Sequence, residues 1–177
     1  MSGGHVFVDE TKRRGYLVVA VVIVPQDVDT IRRALRELIL PGQRRLHMKD
    51  ENDRRKRALI NAIAGADVTA TVYNAGRRYR TERERRAACL RALVEDAAAS
   101  GHARLIIEQD DSMISFDNQR LIEATRATGC GQTLRYEHRR ASSEIALAVP
   151  DAIAWCWAKG GDGRRRAQPV VSAVRQV

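Results

Sequence analysis

Apolar and polar positions along this chain switch repeatedly between two regimes, and the switches predict its elements. His5–Glu10, HVFVDE, reads as a short apolar strand tipped by two carboxylates, and TKRRG then turns the chain. Tyr16–Val24, YLVVAVVIV, is a continuous β-branched run of the kind covered on both faces, closed by Pro25. The short turn makes it an antiparallel neighbour of the first strand. Val28, Ile31, Leu35 and Leu38 then recur at helical spacing, with Asp27 or Asp29 as the expected cap.

Asp50 is the expected cap of a second helix burying Leu59, Ala62 and Ile63, and Gly65 ends it. Val68–Tyr73 alternates as a third strand, followed by a basic loop over 74–80. Thr81 and Glu84 form a T-x-x-E capping box for a long helix with Ala87, Leu90, Val94 and Ala97 inward and Arg83, Arg85 and Arg86 in its opening turns. Ala103–Gln109 is the next buried strand, and it too ends in acids. A helix with Leu121, Ile122 and Thr125 inward closes at Gly129. Thr133–Arg139 alternates as a last strand, and Pro150 opens a strongly apolar last helix carrying Ile153, Trp155, Cys156 and Trp157.

The order ββααβαβαβα predicts an α/β fold, a mixed five-stranded sheet flanked by helices with an antiparallel N-terminal hairpin. Its length suits one domain over 1–166, with 167–177 a tail of uncertain order. In such sheets ligands collect at the carboxyl ends of neighbouring parallel strands. If the strands ending in Asp9 and Glu108 lie side by side, their acids converge.

Composition narrows the partner. Lys and Arg outnumber Asp and Glu by 31 to 22, and nearly all the cations are Arg, whose planar guanidinium suits phosphate. A nucleic-acid partner follows from that excess, though a GC-biased genome also yields such composition. Cys89, Cys130 and Cys156 are odd in number and widely spaced, against a disulfide framework or a zinc cluster. No stretch reaches the ~18 apolar residues of a membrane span, and the opening MSGG lacks the regions of a signal peptide. A cytoplasmic protein with no membrane contact is expected.

Several local patterns together resemble a known family. FVDE at 7–10, an apolar second strand, L-H-x-K at 46–49, a strand with a terminal acid, and A-x-x-D-A-I-A-W at 148–155 look like a bacterial family of unknown function. That family is regarded as having a ribonuclease H-like fold, and its members are suspected metal-dependent nucleases. The resemblance spans Phe7 to about Arg166. It implies that Asp9 and Glu10 are the first-strand acids, Glu108 the acid of the central strand, Asp151 that of the last helix, and His47 and Lys49 a polar pair. The chain departs from the pattern at Thr11 and Lys12, where relatives have a small residue and glycine, and near Ala148, where an apolar residue replaces a frequent glutamine.

The implied activity is phosphodiester hydrolysis with Mg or Mn. Two such ions about 4 Å apart need several hard carboxylate oxygens. Asp9 is then the candidate bridging ligand, Glu108 and Asp151 flank it, and Glu10 or Asp111 assist. Lys49 offsets charge on the phosphate and His47 moves a proton to the leaving oxygen. Each residue also has an ordinary role: acids end strands in solvent, Asp110, Asp111 and Asp117 suit a helix start, and Trp155 or Trp157 belongs to the core. Two other functions fit the same sequence, a nucleic-acid-binding module without turnover and the protein-interaction half of a defence or toxin pair.

Overall fold

The structure is a computed structural model of the chain, and it describes residues 3–177; Met1 and Ser2, the start of the MSGG segment, lie outside it. Six strands form one sheet. The hairpin of β1 (His5–Thr11) and β2 (Tyr16–Ile23) pairs antiparallel as expected, through a turn in which Arg14 and Gly15 both have positive φ. Helices α1 (Pro25–Arg36) and α2 (Asp53–Ala64) follow, then β3 (Thr69–Gly76), antiparallel to β2. Helix α3 (Glu82–Ala99) leads to β4 (Arg104–Glu108), which returns beside β1 and parallel to it. Helix α4 (Ile114–Thr128) connects to β5 (Arg135–Arg139), parallel to β4. The chain closes with α5 (Ala148–Lys159), α6 (Gly161–Ala167) and β6 (Val171–Gln176), parallel to β3.

The sixth strand corrects the five-stranded expectation. Residues 167–177, expected as a tail, bury Ala167, Val170 and Val171 and satisfy the otherwise open edge of β3. The signal was faint because β6 is itself an edge, with Ser172, Ala173 and Val174 exposed, so it carries only a trace of burial pattern.

Side-chain alternation splits the sheet between two cores. Phe7, Val19, Val21, Ile23 and Ile106 face α1, α2 and α5, while Val6, Val8, Val18, Ala20, Leu105 and Ile107 face α3 and α4. Phe7 and Ile153 are fully buried, each stabilising the fold by about 2–3 kcal/mol. This two-sided burial explains why β1 and β2 read as nearly unbroken apolar runs.

Local details differ where the chain offers competing partners. Helix α1 begins at Pro25 with no side-chain cap, and proline at its first position replaces the role expected of Asp27 or Asp29. Asn52, not Asp50, caps α2 by accepting from the Arg55 N–H. Ile60 is buried there and Ala62 exposed. The Thr81–Glu84 capping box forms as expected. No helix among the described residues is long and apolar enough to cross a membrane.

Candidate functional site

Strand register decides which acids meet. Val8 pairs with Ile107, so Asp9 and Glu108 are the next residues on adjacent parallel strands. Counting by twos from Phe7 and Ile106, both fall on the α5 face. Asp9 is 7% exposed. Its Oδ1 accepts the Glu10 N–H at 2.7 Å, and the Glu108 carboxyl is near enough to act on its charge. Burial first, and then Glu108, Asp151 and Glu10, push the Asp9 carboxyl well above the usual carboxylate range. A neighbouring carboxylate disfavours the charged form of a buried acid, and a cation placed beside the two relieves that repulsion.

The third acid comes from α5. Asp151 sits in its first turn, where Oδ2 accepts the Met48 N–H at 2.8 Å and Oδ1 lies 3.5 Å from His47 Nε2. Burial raises its pKa to about 6, against the opposing influence of His47 and the Met48 N–H. Leu46 and Met48 are buried, and the residues between and after them, His47 and Lys49, turn to the other side. A 3-10 turn over Met48–Asp50 holds them there. His47 Nδ1 is buried with no hydrogen-bond partner.

Asp9, Glu108, Asp151, His47 and Lys49 line one cleft of about 590 Å³, together with Glu10, Lys12, Arg13 and Trp155. Arg13, Lys56 and Lys159 lie 5.5, 4.4 and 4.7 Å from the Trp155 ring centroid. Trp157 is the core tryptophan of the pair.

Glu10 reaches the cleft rim, but the same alternation that turns Asp9 toward α5 turns Glu10 toward α3, where it accepts from Arg86 Nη1. Asp111 is exposed and bonded to Arg140 and Gln109, outside the cleft lining. Asp117 is fully buried, which a helix-start role did not anticipate. It receives Arg86 Nε and Nη2 at 2.6 and 2.7 Å and pairs with His138 Nε2 at 2.9 Å. Burial alone would raise its pKa, yet the Arg86 and His138 hydrogen bonds hold it below the ordinary value. Arg86, one of the arginines in the opening turns of α3, is 2% exposed. A signal existed: Arg86 continues the Leu90, Leu93, Ala97 stripe, and Asp117 the Leu121, Ala124 stripe, each one turn earlier.

No family model matches the chain, and no curated protein matches it by sequence. Among solved structures it is similar to RNase HII in the PCNA:RNase HII complex from Archaeoglobus fulgidus, with a TM-score of 0.51 and 15% identity over 88% of this chain and 73% of that one. The chain has a ribonuclease H-like fold. At this identity the likeness is one of fold, so the chemistry must be argued from the cleft.

As they stand, no three His, Cys, Asp or Glu side chains among the described residues are grouped closely enough to hold a metal ion. The donors still suit a hard divalent cation. The cleft offers the carboxyls of Asp9, Glu108 and Asp151, with Glu10 at its rim, and no thiol, and buried Asp9 has no cationic partner among the described residues. A cation beside Asp9 and Glu108 would offset the charge that burial and the neighbouring acid disfavour on Asp9.

Proposed function

We propose that this protein is a nuclease that hydrolyses phosphodiester bonds with a divalent metal, Mg or Mn, held by Asp9 and Glu108 with Asp151 alongside. The observation that carries the reading is that Asp9 and Glu108 directly follow the paired residues Val8 and Ile107 at the ends of adjacent parallel strands. Burying two acids against each other raises the energy of the charged state, an arrangement suited to a site completed by a cation. When bound, such an ion supplies charge stabilisation at a phosphate oxygen and a more acidic bound water.

The remaining roles belong to the chain itself. The Glu10 N–H fixes the orientation of the Asp9 carboxylate. The Met48 N–H does the same for Asp151, and so ties α5 to the turn carrying His47 and Lys49. Lys49, Lys12 and Arg13 supply positive charge for the phosphate within the cleft. His47, oriented by Asp151 through Nε2, is suited to hold or give a proton at the leaving oxygen. The three cysteines are free and buried, in keeping with the cytoplasmic setting we propose.

The test is cleavage of end-labelled DNA, RNA and hybrid duplexes with Mg²⁺ or Mn²⁺, against chelator and Asp9→Asn controls. Cleavage that needs both metal and Asp9 supports the reading, and its absence on all three substrates overturns it. A second reading, a nucleic-acid-binding module without turnover, is favoured by one observation, the lack of a ready three-ligand grouping among the described residues. Salt-dependent binding without cleavage would select it.

A further inference from the structure

A second hollow, of about 410 Å³, is also lined by Trp155 and has no part in the chemistry above. Its floor includes the buried side chains of Met48 and Ile60. Its walls bring together five cations, Arg14, Lys56, Arg57, Lys159 and Arg166, against two carboxylates, Asp53 and Asp162. Asp162 is taken by Arg166 at 2.7 Å, with Arg165 at 3.8 Å.

Two of the cations are held in a way that leaves their charge available. Lys56 and Lys159 sit over the face of Trp155, so they are positioned by the ring quadrupole without being neutralised by a carboxylate. Arg14 Nη1 donates to the Lys159 carbonyl at 2.7 Å, which fixes the start of the bend after α5. That bend runs through Gly160 and Gly161, both at positive φ, and a Cβ at either would meet nothing within 4 Å. Glycine is needed there for the backbone, and the hollow beside it stays open.

The two hollows adjoin at Trp155. Trp155 lines both, and the β1–β2 turn contributes Lys12 and Arg13 to the first and Arg14 to the second. An anion in the second hollow therefore lies next to whatever occupies the carboxylate cleft.

We propose that the Lys56–Lys159 hollow seats backbone phosphates of the nucleic-acid strand flanking the scissile bond, so that substrate is gripped by charge and without regard to base sequence. The identity of the anion rests on the nuclease reading; cations lining both of the adjoining hollows favour an extended polyanion over a single phosphate.

Binding is the experiment, carried out on the full-length Asp9→Asn chain so that turnover plays no part. Fluorescent DNA, RNA and hybrid oligonucleotides are titrated from about 50 to 300 mM salt, with and without Lys56→Gln/Lys159→Gln. Each phosphate contact contributes about 0.7–0.9 to the slope of log K against log salt, so the double variant is expected to lower that slope by about 1 to 2 and to weaken binding at every sequence tested. Lys56→Arg/Lys159→Arg should retain the slope. Arg91→Gln/Arg126→Gln, which removes as much charge from exposed positions on α3 and α4 across the sheet, should change it less. The inference is overturned if the Gln variant keeps the parent slope and affinity, if no oligonucleotide binds at the lowest salt, or if polyglutamate or inorganic phosphate competes as well as an oligonucleotide. Cleavage by the wild-type chain is scored separately. A chain that binds through Lys56 and Lys159 but never cuts refutes the nuclease reading alone, and one that cuts with an unchanged slope in the Gln variant refutes the phosphate seat alone.

Discussion

Arg86 donates through Nη1 to Glu10, and so ties the residue next to Asp9 to a helix on the opposite face of the sheet. The same guanidinium grips both oxygens of Asp117, and Tyr16 adds a contact to Nη1 at 3.2 Å. The acids of β1 are thus divided by the pleat: Asp9 is left without a cation, and Glu10 is given one. Arg86 is a positioning residue, fixing the end of the strand from which Asp9 projects.

Replacing Arg86 by Ala leaves buried Asp117 with His138 but without its guanidinium partner, and Glu10 without its own. Removing one member of a buried ion pair typically costs about 3–5 kcal/mol, and chemical denaturation should show a loss of that size. A loss under 1 kcal/mol would mean that the network is not buried in solution.

Asp9→Asn removes a charge that burial disfavours while keeping the shape and an acceptor for the Glu10 N–H. Metal-dependent cleavage should fall to background while the melting temperature at pH 8 stays equal or rises. A variant that cuts at the wild-type rate removes Asp9 from the chemistry. One that unfolds assigns Asp9 a structural role.

The pH dependence of stability has a definite sign. Asp9 and Asp151 have folded-state pKa values raised above those of an unfolded chain, so their contribution is fully present below an unfolded carboxylate pKa of about 3.9. It is lost as pH rises through the folded values, about 6 for Asp151. Asp117 and Glu144 act oppositely, since their lowered values give stability that is lost on acidification. Melting temperatures from pH 5 to 8 should therefore fall less for Asp151→Asn than for the wild type. Mn²⁺ at pH 8 should raise the wild-type melting temperature and leave that of Asp9→Asn nearly unchanged. Equal metal shifts in the two proteins would place ion binding elsewhere.

Ending the chain at Arg166 removes β6 and uncovers the edge of β3. The loss of buried Val170 and Val171 alone amounts to about 3 kcal/mol or more, and an open strand edge favours association. Scattering and denaturation of the truncated chain should show both effects; a monomer of unchanged stability would make β6 dispensable.

The sequence by itself determined the elements and the candidate acids. Period-two and period-3.6 patterns are local, so β1 through β5 and the longer helices were readable, and an acid beside an apolar run marked Asp9 and Glu108. Their face was also implicit, because alternation sends Asp9 and Glu10 to opposite sides of any sheet. Which side meets α5 depended on strand neighbours far apart in the chain. Only the tertiary structure decided that β4 lies parallel beside β1 in the register that sets Asp9 against Glu108, that Asp151 crosses to Met48, and that the 167–177 segment closes the sheet. Arg86 and Asp117 make the same point from the core. A charged residue on an apolar stripe looks like an exception until its partner, 31 positions away, is placed against it. Pairing of that kind is set by long-range packing, which local patterns do not encode.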